Sequence, residues 1–395
     1  MSVTVPTCCD IFCNVIDNFG DIGVSWRLAR QLAIEHGLSV RLWVDDLDSF
    51  AKLCAEADTA SETQICHGVE VRQWRKEFSG VQPAELVIET FACKLPENYV
   101  AAMAKIVEQS CRKPVWINLE YLSAEDWVES HHKLPSPHPS LPLTRYFFFP
   151  GFTGKTGGLL LERDLLKQRD AFQNEASKQD AFWRFIGMET PAGDTLKVSL
   201  FAYENPALEG LFDAWSSGKR SVLCLVPEGR ILPQVGQYFG GPAPRAGSDY
   251  VRGQLRVRVL PFVEQERYDE LLWACDVNFV RGEDSFVRAI WAGRPLVWQI
   301  YPQHDEVHLK KLQAFLMLYC KHLSRSAGKA TADLWEVWNR GSEAGQKWAA
   351  FAAEIGEISR CTRDWTRPLA ENNLAVNILD FSREIGRMRA LKIEG

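Results

Sequence analysis

The chain has 395 residues, a formal net charge of -6, 46% hydrophobic and 24% charged residues, and no long basic run. That length suits two domains that each bury a core, and the charge argues against a nucleic-acid or anionic-membrane surface while admitting a basic partner. No apolar run reaches the ~18 residues that a membrane helix needs, and the N-terminus has no signal-peptide pattern, so a cytoplasmic protein is expected. The 11 cysteines are odd in number and scattered, with no C-x-x-C pair. They read as small buried hydrophobes in a reducing compartment rather than as a disulfide framework or a zinc site.

In chain order, the apolar run Cys8–Cys13 predicts a first strand. It breaks at Asp17-Asn18-Phe19-Gly20-Asp21-Ile22-Gly23. Then Trp26, Leu28, Ala29, Leu32 and Ala33 share one helical face, and Gly37 ends the helix. Further strands are predicted at 40–44, 86–88, 115–119 and 146–149. Residues 131–142 read as a Pro-rich loop, 151–158 as a flexible loop, and 168–186 as one helix crossing to a second domain. The pattern then restarts, with strands at 196–202, 221–226, 255–260, 277–280 and 295–300. Helices are predicted from about 206, over 264–273, from near 284 and over 305–319. Such alternation predicts an α/β fold of two doubly wound, Rossmann-like halves, 1–185 and 190–365. A last helix, 368–391, is long enough to pack back on the first half.

Two stretches carry chemistry. Arg281 to Asp305 reads as strand, short acidic turn, helix, strand, a βαβ unit. Its helix opens at the carboxyl end of a strand, where open sheets bind ligands, and its N–H groups, including those of Asp284 and Ser285, could hold a phosphate. Simple helix capping by Asp284 and Ser285 is the alternative, and Arg281, Glu283 and Tyr301 on the same rim favour a ligand. The acidic loop lacks the third glycine of a dinucleotide fingerprint. Asp17 and Asp21 would repel a phosphate, but would attract a cation or take a proton from a nucleophile. Here too, capping of a turn by Asp17 and of the helix by Asp21 is the alternative. One half would then hold a nucleotide-linked donor and the other an acceptor, as in a two-domain glycosyltransferase.

Several motifs point nowhere. Gly154-Lys155-Thr156 lacks the upstream glycine of a phosphate loop, since that position is Phe149. His304 and His308 lack the glutamate of a zinc protease. His131, His132 and His138 sit in the Pro-rich loop, and Asp45, Asp46 and Asp48 suit a turn and a helix cap. No metal site is expected.

The runs IFCNVIDNFGDIGVSWRLARQL, PFVEQERYDELLWACD and RGEDSFVRAIWAGRPLVWQIYPQ resemble the EarP family of bacterial protein-arginine rhamnosyltransferases, and the similarity extends over essentially the whole chain. The resemblance implies a GT-B architecture, two Rossmann-like domains facing across a cleft. It implies transfer of L-rhamnose from TDP-β-L-rhamnose to an arginine of translation elongation factor P, with inversion and without a metal or other cofactor. It places the two essential aspartates on Asp17 and Asp21, the second favoured as general base, and the essential glutamate on Glu283. Donor contacts fall on Phe201, Tyr203, Gln265, Glu283, Asp284, Ser285 and Tyr301, with Asp17, Asn18, Phe19, Gly20 and Asp21 as the acceptor loop.

The residue chemistry agrees. Phe201 and Tyr301 could flank a base, and Gln265 has both a donor and an acceptor to read its edge. A helix terminus offers ~0.3–1 kcal/mol to a charge, up to ~2 when partly buried, so a departing diphosphate needs more help. Arg281 and Arg288 are the nearby candidates. A guanidinium is planar and always charged, and paired carboxylates suit it, both as bidentate partners and as proton acceptors. The competing readings are a GT-B enzyme with another nucleotide-sugar or acceptor, and a non-enzymatic module that binds a translation factor.

Overall fold

Apolar runs bounded by turn residues form the strands, because a strand covered on both faces needs no polar alternation. The structure, a computed structural model, describes residues 6–16, 19–75, 80–110, 113–302 and 307–394. The chain divides into two compact units, Met1–Arg163 with Pro368–Gly395, and Asp164–Arg367.

The first unit runs β1 (Cys8–Cys13), α1 (Gly20–Ile34), β2 (Ser39–Val44), α2 (Leu47–Leu53), β3 (Thr63–Cys66), β4 (Val69–Gln73), β5 (Leu86–Thr90), α3 (Glu97–Ser110), β6 (Val115–Leu119), α4 (Trp127–His131), β7 (Pro135–Pro137) and β8 (Thr144–Phe148). The sheet order is β3-β4-β2-β1-β5-β6-β8-β7, parallel except for the edge hairpins β3–β4 and β7–β8. From β1 the chain moves outward through β2 to β4, then returns to β5 on the other side. The switch point lies between β1 and β5, where such sheets open a crevice at their carboxyl ends. The buried strand β1 contains one carboxylate, Asp10. It accepts from Arg41 twice at 2.6 Å, from Trp43 Nε1 at 3.1 Å and from the Ala84 N–H at 3.0 Å, and also bonds Tyr99. So many donors satisfy a buried charge and mark Asp10 as structural.

The second unit runs α5 (Leu165–Asn174), α6 (Ala176–Phe185), β9 (Leu196–Leu200), α7 (Leu208–Ser216), β10 (Val222–Pro227), α8 (Leu232–Tyr238), β11 (Asp249–Arg252), β12 (Leu255–Leu260), α9 (Gln265–Ala274), β13 (Val277–Arg281), α10 (Asp284–Ala292), β14 (Leu296–Gln299), α11 (Val307–Cys320), α12 (Arg325–Arg340), α13 (Ala344–Ala353) and α14 (Ile355–Ala370). Its order, β11-β12-β10-β9-β13-β14, switches between β9 and β13, and only β11 is antiparallel. The last helix, α15 (Leu374–Glu394), belongs to the first unit. Asn372, Asn373 and Asn377 donate to the backbone carbonyls of Thr153, Leu161 and Gly157 at 2.7, 2.6 and 3.0 Å, and Phe381 packs against Tyr146 and Phe148. Gly158, at φ +78°, admits that approach, since a Cβ there would sit 2.0 Å from the Asn372 oxygen.

Two expectations change. The single helix over 168–186 is two, α5 and α6, broken where Glu175 takes extended angles. The Pro-rich loop contains β7, an edge strand, where prolines cost no ladder bond. Lys155 of the phosphate-loop decoy pairs with Glu129 at 3.1 Å. Asp46 caps α2 through the Ser49 N–H at 3.0 Å. His304 and Asp305 lie outside the described residues.

Candidate active site

In the second unit the expected residues gather at the β9/β13 switch. β13 ends at Arg281, and Gly282, at φ +66°, turns the chain so that α10 begins at Asp284. Trp298 Nε1 donates to the Gly282 carbonyl at 2.7 Å and fixes that turn. The N-cap is Glu283, which makes no side-chain capping bond, and the Ser285 hydroxyl donates backwards to the Arg281 carbonyl. The N-cap position thus falls on Glu283 rather than on Asp284 or Ser285, and an anion is well placed to meet the first N–H groups of the helix. Gln265 opens α9, is buried, and places Nε2 3.4 Å from Asp284 Oδ2. Two helix starts thus converge on one point.

The aromatic residues lie beside them. The Arg281 guanidinium sits 4.5 Å from the ring centres of both Phe201 and Tyr203. Tyr203 is buried, its N–H bound to Gln299 Oε1 at 2.9 Å, and it meets Tyr301 edge-on at 5.6 Å. Tyr301 is 40% exposed, which leaves its ring open to a planar ligand. Arg288 does not serve here. It forms a buried bidentate pair with Asp269 at 2.6–2.7 Å, because one helical turn past Asp284 faces α9 rather than the rim. Of the two arginines considered for the leaving group, Arg281 alone is at the rim. Phe201, Tyr203, Gln265, Glu283, Asp284, Ser285 and Tyr301 form one constellation that offers stacking surfaces, an amide and a helix N-terminus. Asp284→Ala is expected to weaken TDP binding with the fold intact, measured by calorimetry, and an unchanged affinity would remove Asp284 from the site. Glu283→Ala is expected to act on turnover.

In the first unit the acidic loop follows β1 at the β1/β5 switch. Asp17 and Asn18 lie outside the described residues. Phe19 is the N-cap of α1 without a side-chain capping bond, and Gly20 is its first residue. Asp21 sits in the first turn, 2% exposed, and its carboxylate accepts the Ile16 N–H at 3.0 Å. It thus closes the loop back towards β1. Its position is set from below, since Ser25 Oγ donates to the Asp21 carbonyl at 2.8 Å and lies 3.2 Å from Thr90 Oγ1, which donates to the Phe12 carbonyl at 2.9 Å. Asp45, at the end of β2, accepts the Val15 N–H at 2.9 Å and bonds the Asn14 side chain. Phe91 and Ala92, just beyond β5, both have φ +56°. Strain of this kind in non-glycine residues gathers at functional sites. Sequence reading missed Asp45, Ser25 and Thr90 as supports. Their signal was positional, since Asp45 directly follows β2 and Thr90 ends β5, the strands on either side of β1.

The sequence matches the family described as Elongation-Factor P (EF-P) rhamnosyltransferase EarP over residues 9–383. A protein-arginine rhamnosyltransferase of Pseudomonas putida is 49% identical over 375 residues, 95% of this chain and 98% of that protein. Its counterpart in Pseudomonas aeruginosa is 49% identical over 356 residues, 90% of this chain and 93% of that protein. A solved structure reported under "Structural basis for EarP-mediated arginine glycosylation of translation elongation factor EF-P" is 38% identical, with TM-score 0.68, covering 95% of this chain and 99% of that one. A glycosyltransferase from Rickettsia africae, 8% identical at TM-score 0.52, covers 98% of this chain and 99% of its own and shares the fold alone. The two Rossmann-like sheets are those of the GT-B class.

Proposed function

The chain belongs to the EarP family of protein-arginine rhamnosyltransferases, and from this premise we propose that it moves L-rhamnose from TDP-β-L-rhamnose to an arginine of translation elongation factor P, with inversion. The observation that carries this reading is the convergence of Gln265 and Asp284 at two helix starts beside Phe201, Tyr203 and Tyr301. It supports a donor with a planar base and a diphosphate. The rings flank the base, Gln265 reads its edge, and the start of α10 holds the diphosphate with Arg281 adding positive charge. These groups are the protein's own, so the reaction proceeds without a metal, and excess chelator is expected to leave the rate unchanged.

On the acceptor side, Asp21 takes a proton from the arginine as its nitrogen attacks the anomeric carbon. Asp17 holds the guanidinium, and the diphosphate leaves from the opposite face. Localising the guanidinium charge on carboxylates polarises the attacking nitrogen, which resonance otherwise makes a poor nucleophile. The reading is tested by incubating the protein with TDP-β-L-rhamnose and the factor, then assigning the anomeric signal by NMR. An α-linked rhamnosyl arginine is expected, and a β linkage would overturn inversion. UDP in place of TDP is expected to give no thermal stabilisation, since only a ligand of the native state raises stability. Factor binding is expected to weaken with salt, because attraction between exposed charges is screened over about 8–10 Å at physiological ionic strength. A flat affinity from low to high salt would contradict an acidic acceptor surface.

A further inference from the structure

A nucleotide-linked sugar brings a diphosphate whose negative charge grows as it leaves. The bond from the anomeric carbon to the diphosphate oxygen breaks, and its electron pair stays on that oxygen. Arg281 alone answers this charge poorly. Glu283 and Asp284 follow it in the same turn and carry the opposite sign, and the start of α10 adds only about half a unit of positive charge. Arg288 is held by Asp269 and adds nothing at the rim.

A second cation stands at the end of the next strand. In the sheet, β9 lies between β10 and β13. The carboxyl end of β13 carries Arg281, that of β9 carries Phe201 and Tyr203, and that of β10 runs into the turn Glu228-Gly229-Arg230. This turn packs on the aromatic residues, since a Cβ built on Gly229 would lie 3.4 Å from Phe201 Cε2. The Arg230 guanidinium lies 6.0 Å from the ring centre of Tyr203, the ring that Arg281 meets at 4.5 Å. Two guanidinium groups, from the strands on either side of β9, thus share one aromatic ring.

Arg230 is also uncommitted. Its side chain is exposed, and among the described residues it completes no hydrogen bond or ion pair. Glu228, close by in sequence, is engaged elsewhere and accepts the Phe262 N–H at 3.3 Å. Exposure alone would make Arg230 a solvated surface residue. Its place against Tyr203, across β9 from Arg281, gives it a ligand to meet. We propose that Arg230 pairs with the diphosphate of the donor and neutralises the charge that builds up as the nucleotide leaves. The role rests on the donor reading given above and adds a catalytic residue to it. A guanidinium suits it, because it stays charged and offers several N–H donors to phosphate oxygens.

Calorimetric titration of wild type, R230Q and R230K with TDP and with thymidine tests this. R230Q is expected to bind TDP about tenfold more weakly, the loss of a charged hydrogen bond at an open site, and thymidine as wild type does. R230K is expected to recover most of the loss, since a lysine also brings a point charge to phosphate. In the transfer assay R230Q is expected to lower kcat by about 10- to 100-fold, because leaving-group charge is greatest in the transition state. Its melting temperature without nucleotide should match wild type, as expected for an exposed side chain with no partner. TDP affinity and kcat unchanged in R230Q would overturn the role of Arg230, and so would an equal loss for TDP and thymidine, which would mark a disturbed base pocket. Failure of the wild-type protein itself to bind TDP would overturn the donor reading instead, and this role with it.

Discussion

Asp21→Asn is expected to lower rhamnosyl transfer by at least about a hundredfold, within the ~10²–10⁴ range for loss of a general base. Asparagine keeps the shape of the side chain, and its carbonyl oxygen can still accept the Ile16 N–H that Asp21 accepts at 3.0 Å. The Ser25–Thr90 support bonds the backbone of residue 21 and is untouched by the exchange. The variant should therefore fold and bind TDP within about twofold of wild type, well under the ~1.4 kcal/mol that a tenfold change represents. On the proposed role of Asp21, the exchange removes the carboxylate charge and with it proton acceptance. Turnover within a few-fold of wild type would show that another group is the base. Parallel loss of turnover and thermal stability would give Asp21 a structural role.

The second large effect belongs to Asp269. It holds Arg288 by two bonds of 2.6–2.7 Å with both side chains buried. Removing one member of such a pair leaves an uncompensated buried charge and costs about 3–5 kcal/mol. Asp269→Ala is expected to lose that much in urea unfolding. The pair also ties α9 to α10, whose first residues, Gln265 and Asp284, meet at 3.4 Å. TDP affinity should fall with stability, and saturating TDP should recover part of the loss, because a ligand of the native state stabilises it. Replacing both partners, as in Asp269→Leu with Arg288→Met, should restore most of the stability, since apolar replacements of buried pairs are often neutral or better. A loss below about 1 kcal/mol for Asp269→Ala would place the pair among weak surface bridges.

How far the sequence could be read followed from which signals are local. The runs Cys8–Cys13 and Val277–Arg281 are mostly apolar and almost wholly buried, because both lie inside parallel sheets, and each runs into a polar turn that starts a helix. The positions of Asp21, Glu283 and Asp284 at carboxyl strand ends followed from that pattern. The edge strands β3, β7 and β11, and β4 next to the edge, were not legible. They are three to five residues long and partly exposed, so no apolar run announces them. The break between α5 and α6 falls at Glu175, with neither proline nor glycine to mark it. Arg288 looked available because it follows the acidic turn by one helical turn, but its partner lies nineteen positions back on another helix. The supports of the acidic loop, Asp45 and Thr90, come from neighbouring strands, and strand order is a property of the folded sheet.

The central claim is that this protein places a rhamnosyl group on an arginine side chain of elongation factor P. Incubation with the factor and TDP-β-L-rhamnose, followed by intact and tandem mass spectrometry of the factor, tests it most directly. The account predicts a single rhamnosyl mass gain that maps to one arginine, absent when TDP-rhamnose is withheld and strongly slowed with Asp21→Asn. An unmodified factor, or a sugar mapped to a hydroxyl-bearing residue, would contradict it.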